Sequence, residues 1–109
     1  MLFRLTNTLV ATILMLSYST ALANEQSKST SEMYYNLLPK EQSALCAVSA
    51  LMVEPKDEMM SKLHLKEFRE RANVLPVFSD SMLIAMGKKW IVENGYTDRI
   101  SDVYAICKG

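Results

Sequence analysis

The sequence predicts an all-α fold, a small domain of four main helices clamped by one disulfide. Three observations predict it. Apolar residues recur at three- and four-residue spacing in four successive segments, and none of them alternates with the period of two that marks a half-buried strand. The breaks between segments carry helix caps and stops rather than hairpin turns. The two cysteines, Cys46 and Cys107, fall in the first long segment and at the close of the last.

The elements follow in order. Ser31 is placed to cap a short turn through Met33, Tyr34, Leu37 and Leu38. Pro39 suits the first turn of the next helix, because its missing N–H would be unpaired there anyway. That helix is expected to run to about Val53, with Ala44, Leu45, Val48, Leu51 and Met52 as its stripe and Cys46 beside it. Pro55 stops it. Asp57 caps a second helix over about 58–73, with Met59, Met60, Leu63 and Phe68 on one face. Glu58 precedes Lys62 by four and Glu67 precedes Arg71 by four, the favoured orientation for surface ion pairs.

Ser79 or Asp80 caps a third helix over about 80–94, with Leu83, Met86, Trp90 and Ile91 at helical spacing. Gly87 lies inside it at a cost of about 1 kcal/mol relative to Ala, which suggests a close helix crossing. Asn94-Gly95 ends it, with Gly95 able to turn left-handed. Thr97 or Asp98 caps a fourth helix. There Ile100, Val103, Tyr104 and Cys107 fall at i, i+3, i+4 and i+7, so Cys107 faces the core.

Residues 1–23 read differently. Arg4 and the amino terminus supply positive charge, and an uncharged apolar stretch runs from Leu5 to Leu16. That stretch is shorter than the roughly 20 apolar residues a membrane-spanning helix needs. Ala21-Leu22-Ala23 gives the small-x-small pattern of a signal-peptidase site, which places cleavage between Ala23 and Asn24. No cysteine follows the junction to carry a lipid anchor. The expected organisation is a signal peptide at 1–23, a flexible polar leader at 24–31 and a helical domain at 32–109. The expected location is the periplasm, with no membrane attachment after cleavage.

The part from Asn24 onward has 86 residues, enough for one domain. A chain that short buries only about 60–65% of its unfolded surface, so its core is marginal. An even number of cysteines in an exported domain argues for pairing. A Cys46–Cys107 bond closes 62 residues. By loop entropy that contributes about 4 kcal/mol, set against a total stability of about 5–15 kcal/mol.

Charge narrows the function. The exported part carries 11 basic and 12 acidic residues, which gives no field to gather nucleic acid or an anionic membrane. No Gly-rich phosphate loop, H-E-x-x-H, G-x-S-x-G or acidic calcium loop occurs. His64 is the sole histidine and has no nucleophile or acid beside it in sequence, so it reads as structural. With both cysteines bonded, no thiolate remains as nucleophile. The expectation is a protein that is not an enzyme and needs no cofactor or metal.

Methionine is abundant: Met33, Met52, Met59, Met60, Met82 and Met86 lie in the exported part. Met60/His64 and Met82/Met86 each share a helix face, a soft donor set of the kind that suits Cu(I). The same spacing serves gap-filling in a helical core, the favoured reading, or an adaptable partner surface.

The closing stretch carries a resemblance. Met86-Gly87-Lys88-Lys89-Trp90-Ile91-Val92-Glu93-Asn94-Gly95, then Ile100-Ser101-Asp102-Val103-Tyr104-Ala105-Ile106-Cys107, resembles the end of the Rap/Tai immunity proteins. Those are periplasmic helical proteins that bind and block peptidoglycan amidases delivered by type VI secretion. This chain lacks the extra internal cysteines and the Gly-rich segment of one large branch of that group. The resemblance implies a protein partner, a toxic effector enzyme of the cell-wall amidase type. The cysteine layout is also similar to the Hde acid-stress chaperones, although the amino-terminal Trp-Cys pattern is missing. The leading expectation is a secreted immunity protein that acts by protein–protein interaction. An acid-stress chaperone and a small Met-rich copper-binding protein are the alternatives, and a homodimer stays open.

Overall fold

The computed structural model describes residues 28–109. The expected signal peptide, its Ala23/Asn24 junction and residues 24–27 of the expected leader lie outside the described residues. Among the described residues the fold is all-α: α1 (Thr30–Tyr35), α2 (Pro39–Met52), α3 (Glu58–Ala72), α4 (Asp80–Glu93) and α5 (Ile100–Lys108). A 3-10 turn at Thr97–Arg99 leads into α5. The four longer helices are those the apolar spacing predicts.

Local chemistry sets most of their ends. Asp57 accepts the Met60 N–H to start α3, and Ser79 accepts the Met82 N–H to start α4. Pro39 opens α2, where Glu41 Oε1 also accepts the Leu38 N–H at 3.0 Å. Asn73 closes α3 in the left-handed region, which Asn tolerates. Gly95 turns left-handed after α4, at φ +79°.

Two ends differ from expectation. The first helix begins at Thr30, capped by Ser29 rather than Ser31. Thr30 is buried: its hydroxyl donates to Asp102 and accepts from Arg99, both far along the chain. Thr30 and Ser31, at the end of the expected leader at 24–31, are therefore helical. Neither Thr97 nor Asp98 caps α5, because the 3-10 turn delivers the chain directly and Arg99 takes the position before the helix.

Helix α2 is the axis. It is buried on nearly every side, from Leu45 through Ala50, because α3, α4 and α5 all pack against it. The α2–α3 pair is antiparallel and close. Ser61 donates to the Ala47 carbonyl at 2.7 Å, and the Asp57 N–H reaches the Ala50 carbonyl at 2.8 Å. This contact fixes the rotation of α3. Ser61 and Leu65 face inward, while Met59 (83% exposed) and Leu63 (58%) face solvent, contrary to the expected apolar face. Small Ala47 and Ser61 let the backbones approach, and that approach outweighs burial of Met59 and Leu63. Glu67 meets Arg71 at 3.9 Å as expected, whereas Glu58 and Lys62 form no ion pair among the described residues.

The core falls into two clusters. One gathers Leu45, Val48, Ile91, Tyr96, Ile100 and Val103 where α2, α4 and α5 converge. The other is smaller, Ala47, Leu65 and Leu83, with Phe68, Val74, Phe78 and Ile84 packed on it. Cys46 and Cys107 are bonded with Cα atoms 5.7 Å apart, so the bridge ties α2 to α5 beside the first cluster.

Candidate functional site

The two clusters meet at Ile84, which packs against both. Helices α3 and α4 hardly touch along their lengths, although both rest on α2. An apolar wedge of about 300 Å³ opens between them with α2 as its floor. From α2 come Ala44, Leu45 and Val48, on one side of the helix. Leu65, Phe68 and Ala72 line it from α3. Helix α4 gives Leu83, Met86 and Trp90, with Gly87 between them. Leu45, Val48, Leu65 and Leu83 are buried, whereas Met86 is 58% exposed and forms part of the lip.

Gly87 permits this geometry. A Cβ at this position would overlap Val48 Cγ2, so α4 crosses α2 at the one place where it has no side chain. Beyond the crossing, Trp90 stacks on Tyr96, with ring centroids 5.5 Å apart and planes at 16°. On the other side of the crossing, α4 is held to α3 by Arg69. Its guanidinium donates to Asp80 Oδ1 (2.6 and 3.1 Å) and to the Phe78 carbonyl (2.7 Å). Met82 and Met86 lie one helical turn apart on α4, at 48% and 58% exposure.

Polar groups at one end of the wedge are unequally engaged. Glu41 is occupied with the Leu38 N–H. Lys40 is exposed and has no ion-pair partner among the described residues.

The titratable groups singled out by sequence sit elsewhere. His64 Nδ1 lies 3.2 Å from Glu67 Oε2, on the α2–α3 seam. Ser43 also donates to Glu67, and Arg71 donates to Ser43 and to the Pro39 carbonyl. This net joins two helices. Ser43 faces Glu67 and Arg71 rather than His64. Cys46 and Cys107 are consumed by their bond, and Tyr34 Oη lies 3.3 Å from the Cys46 sulfur. Among the described residues no group of three or more His, Cys, Asp and Glu is placed to hold a metal ion. Met86 lines the wedge while Met60 and His64 do not, so the two soft-donor pairs do not share it.

Asp57 is the most constrained carboxylate. The Met60 N–H and then the Tyr104 hydroxyl (2.8 Å) hold its pKa below the ordinary carboxylate value. The same hydrogen bond to Asp57 raises the Tyr104 phenol. Burial raises Tyr34 and Tyr96.

Sequence reasoning finds Gly87 and the methionines but misses the wedge. Its only sequence signal is Gly87 within a helix, next to residues whose apolar spacing looks like ordinary core. No protein-family model, curated protein or solved structure matches this chain.

Proposed function

We propose that this chain is a periplasmic binding protein that acts without catalysis, most plainly as an immunity protein that occludes a toxic cell-wall amidase. The observation that carries the reading is the lip of the wedge. Met82 and Met86 stand exposed on α4 beside Trp90, on a scaffold whose opposite side is tied by a disulfide. Methionine side chains adapt to irregular partner surfaces, and aromatic residues anchor interfaces at low entropic cost. His64, the one histidine, pairs with Glu67 on its own helix, and Ser43 with Arg71 and Glu67 joins α2 to α3. The export signal expected at 1–23 and the resemblance of the closing helices supply the compartment and the kind of partner.

The test is inhibition. The reading expects an amidase gene beside this one, and equimolar addition of the protein to that amidase is expected to stop peptidoglycan hydrolysis. Met86→Glu, at an exposed position, is expected to lose inhibition while the melting temperature stays unchanged. Full hydrolysis in the presence of the native protein overturns the reading.

A further inference from the structure

The bridge between α2 and α5 has two unlike sulfurs. Cys46 is 1% exposed, in the stretch of α2 that other helices enclose. Cys107 is only partly buried, in the last turn of α5. Thiol–disulfide exchange is a displacement at sulfur, and the incoming thiolate needs open space behind the sulfur that it attacks. Cys107 offers that space and Cys46 does not.

The hydrogen bonding is unequal in the same sense. Tyr34 Oη lies 3.3 Å from Cys46 Sγ. A disulfide sulfur carries no hydrogen, so the hydroxyl is the donor. Its bond to a neutral sulfur is weak. It strengthens as negative charge develops on Cys46, because hydrogen bonds to ionised acceptors are about twice as strong as neutral ones. Tyr34 is held over the bridge from both helices. Its carbonyl accepts from Gln42 Nε2 of α2 at 3.1 Å, and Thr30, one turn earlier in α1, donates to Asp102 of α5. Burial raises the Tyr34 phenol, so the hydroxyl keeps its proton where thiolates form.

We infer that an external thiolate enters the bridge at Cys107 and expels Cys46, with the Tyr34 hydroxyl stabilising the leaving group. The new S–S bond joins the incoming sulfur to Cys107. The Cys46–Cys107 bond breaks, and its electron pair leaves on Cys46 as a thiolate that accepts from Tyr34. A second external thiolate then attacks the mixed disulfide and frees Cys107. Closure is the reverse: Cys46 attacks a mixed disulfide carried on Cys107. The end of α5 is thus the face that a thiol–disulfide exchange partner meets. This goes beyond the inhibitor reading and does not depend on it.

The probe is reduced glutathione, added to the native disulfide form without denaturant. N-ethylmaleimide stops the exchange early, and peptide mass spectrometry locates both adducts. Glutathione is expected predominantly on Cys107, with maleimide on Cys46. In guanidinium, where neither sulfur is enclosed, the two isomers should form in comparable amounts. Tyr34→Phe should slow the loading of Cys107 by about two- to tenfold, the equivalent of one hydrogen bond. A purely structural Tyr34 requires the opposite sign, because a loosened fold exchanges faster. The position of the adduct is read in the native protein, so the test stands even where Tyr34→Phe fails to fold. Comparable isomers in the folded protein, or glutathione on Cys46, would overturn the inference. A rate of Cys107 loading in folded Tyr34→Phe that equals or exceeds the native rate would overturn the role of the hydroxyl. Amidase inhibition is measured on the oxidised protein, so the two readings fail separately.

Discussion

The α2–α5 side and the α3–α4 side of this domain are built by opposite means. Between α2 and α5 there is a covalent bridge and a continuous apolar cluster that includes fully buried Val103. Tyr104 extends the attachment by donating to Asp57 at the start of α3, and Thr30 ties α1 to α5 through Asp102. Between α3 and α4 there is an apolar gap, the smaller cluster with Leu65 and Leu83, and one guanidinium clasp. The difference teaches how a chain of this size keeps an open apolar site. Its core does not close everywhere: cross-links concentrate on one side and the other stays open.

Breaking the bridge should have the largest effect. Cys46→Ser is expected to destabilise by about 4 kcal/mol, a large share of the total for a small domain. For a domain of 60–100 residues each kcal/mol moves the melting temperature by about 4–8 °C. The variant should therefore be largely unfolded near 37 °C by circular dichroism, and reduction of the native protein should reproduce it. An unchanged melting temperature would remove the bridge from the comparison.

Next is the crossing that separates the two sides. Gly87→Ala gains up to about 1 kcal/mol of helix propensity, but its Cβ would overlap the buried, β-branched Val48. Overpacking of this kind costs about 1–3 kcal/mol, so a net destabilisation of up to about 2 kcal/mol is expected. Val48→Ala alone leaves a cavity and also destabilises. Combined with Gly87→Ala it should recover part of the loss. A double-mutant cycle with no coupling would show that α4 does not depend on this approach.

These effects also show what was legible in the sequence. Asp57, Ser79, Pro39 and Gly95 act through neighbours within a few residues, so the borders of α2, α3 and α4 follow from local chemistry. The cysteine pair was legible by elimination, since two thiols allow one bridge. Thr30 was not legible, because a lone threonine in a polar stretch gives no hint of partners at 99 and 102. Nor was the outward turn of Met59 and Leu63. The rotation of α3 is set by Ser61 against the Ala47 carbonyl, a polar residue in the middle of a buried face. The wedge is a divergence between helices, and periodicity records which residues are apolar, not how far apart their helices stand.

Acid should act first on the tied side. The folded pKa of Asp57 is lowered, so its contribution to stability is present above the ordinary carboxylate value of 3.8 and is lost as pH falls through the lower folded value. Tyr34, Tyr96 and Tyr104 have raised folded values. Their contribution is complete below pH 10.0 and is lost as pH rises through those values. A stability plateau between these limits is expected in urea titrations. Asp57→Asn should lower the plateau and flatten its acid limb. An acid limb of unchanged steepness would move the acid sensitivity to other carboxylates.

The smallest global effect belongs to the clasp, and it separates the two sides most cleanly. Asp80 is largely exposed and Arg69 partly so, which holds the pair to the range below about 1 kcal/mol. Arg69→Gln should therefore lower the melting temperature by only a few degrees. Its local effect should be larger. The Phe78 carbonyl loses its guanidinium donor, and the first turns of α4 lose their polar tie to α3. Beyond Gly87, α4 remains fixed by Ile91 in the main cluster and by Trp90 on Tyr96. Amide exchange should then rise in residues 80–85 and stay unchanged in residues 90–93, dividing one helix at its crossing point. In Cys46→Ser the rise should be uniform, because the bridge supports the whole fold. Uniform exchange along α4 in Arg69→Gln would mean that the two sides unfold as one unit, and the wedge would then be as rigid as the core beneath it.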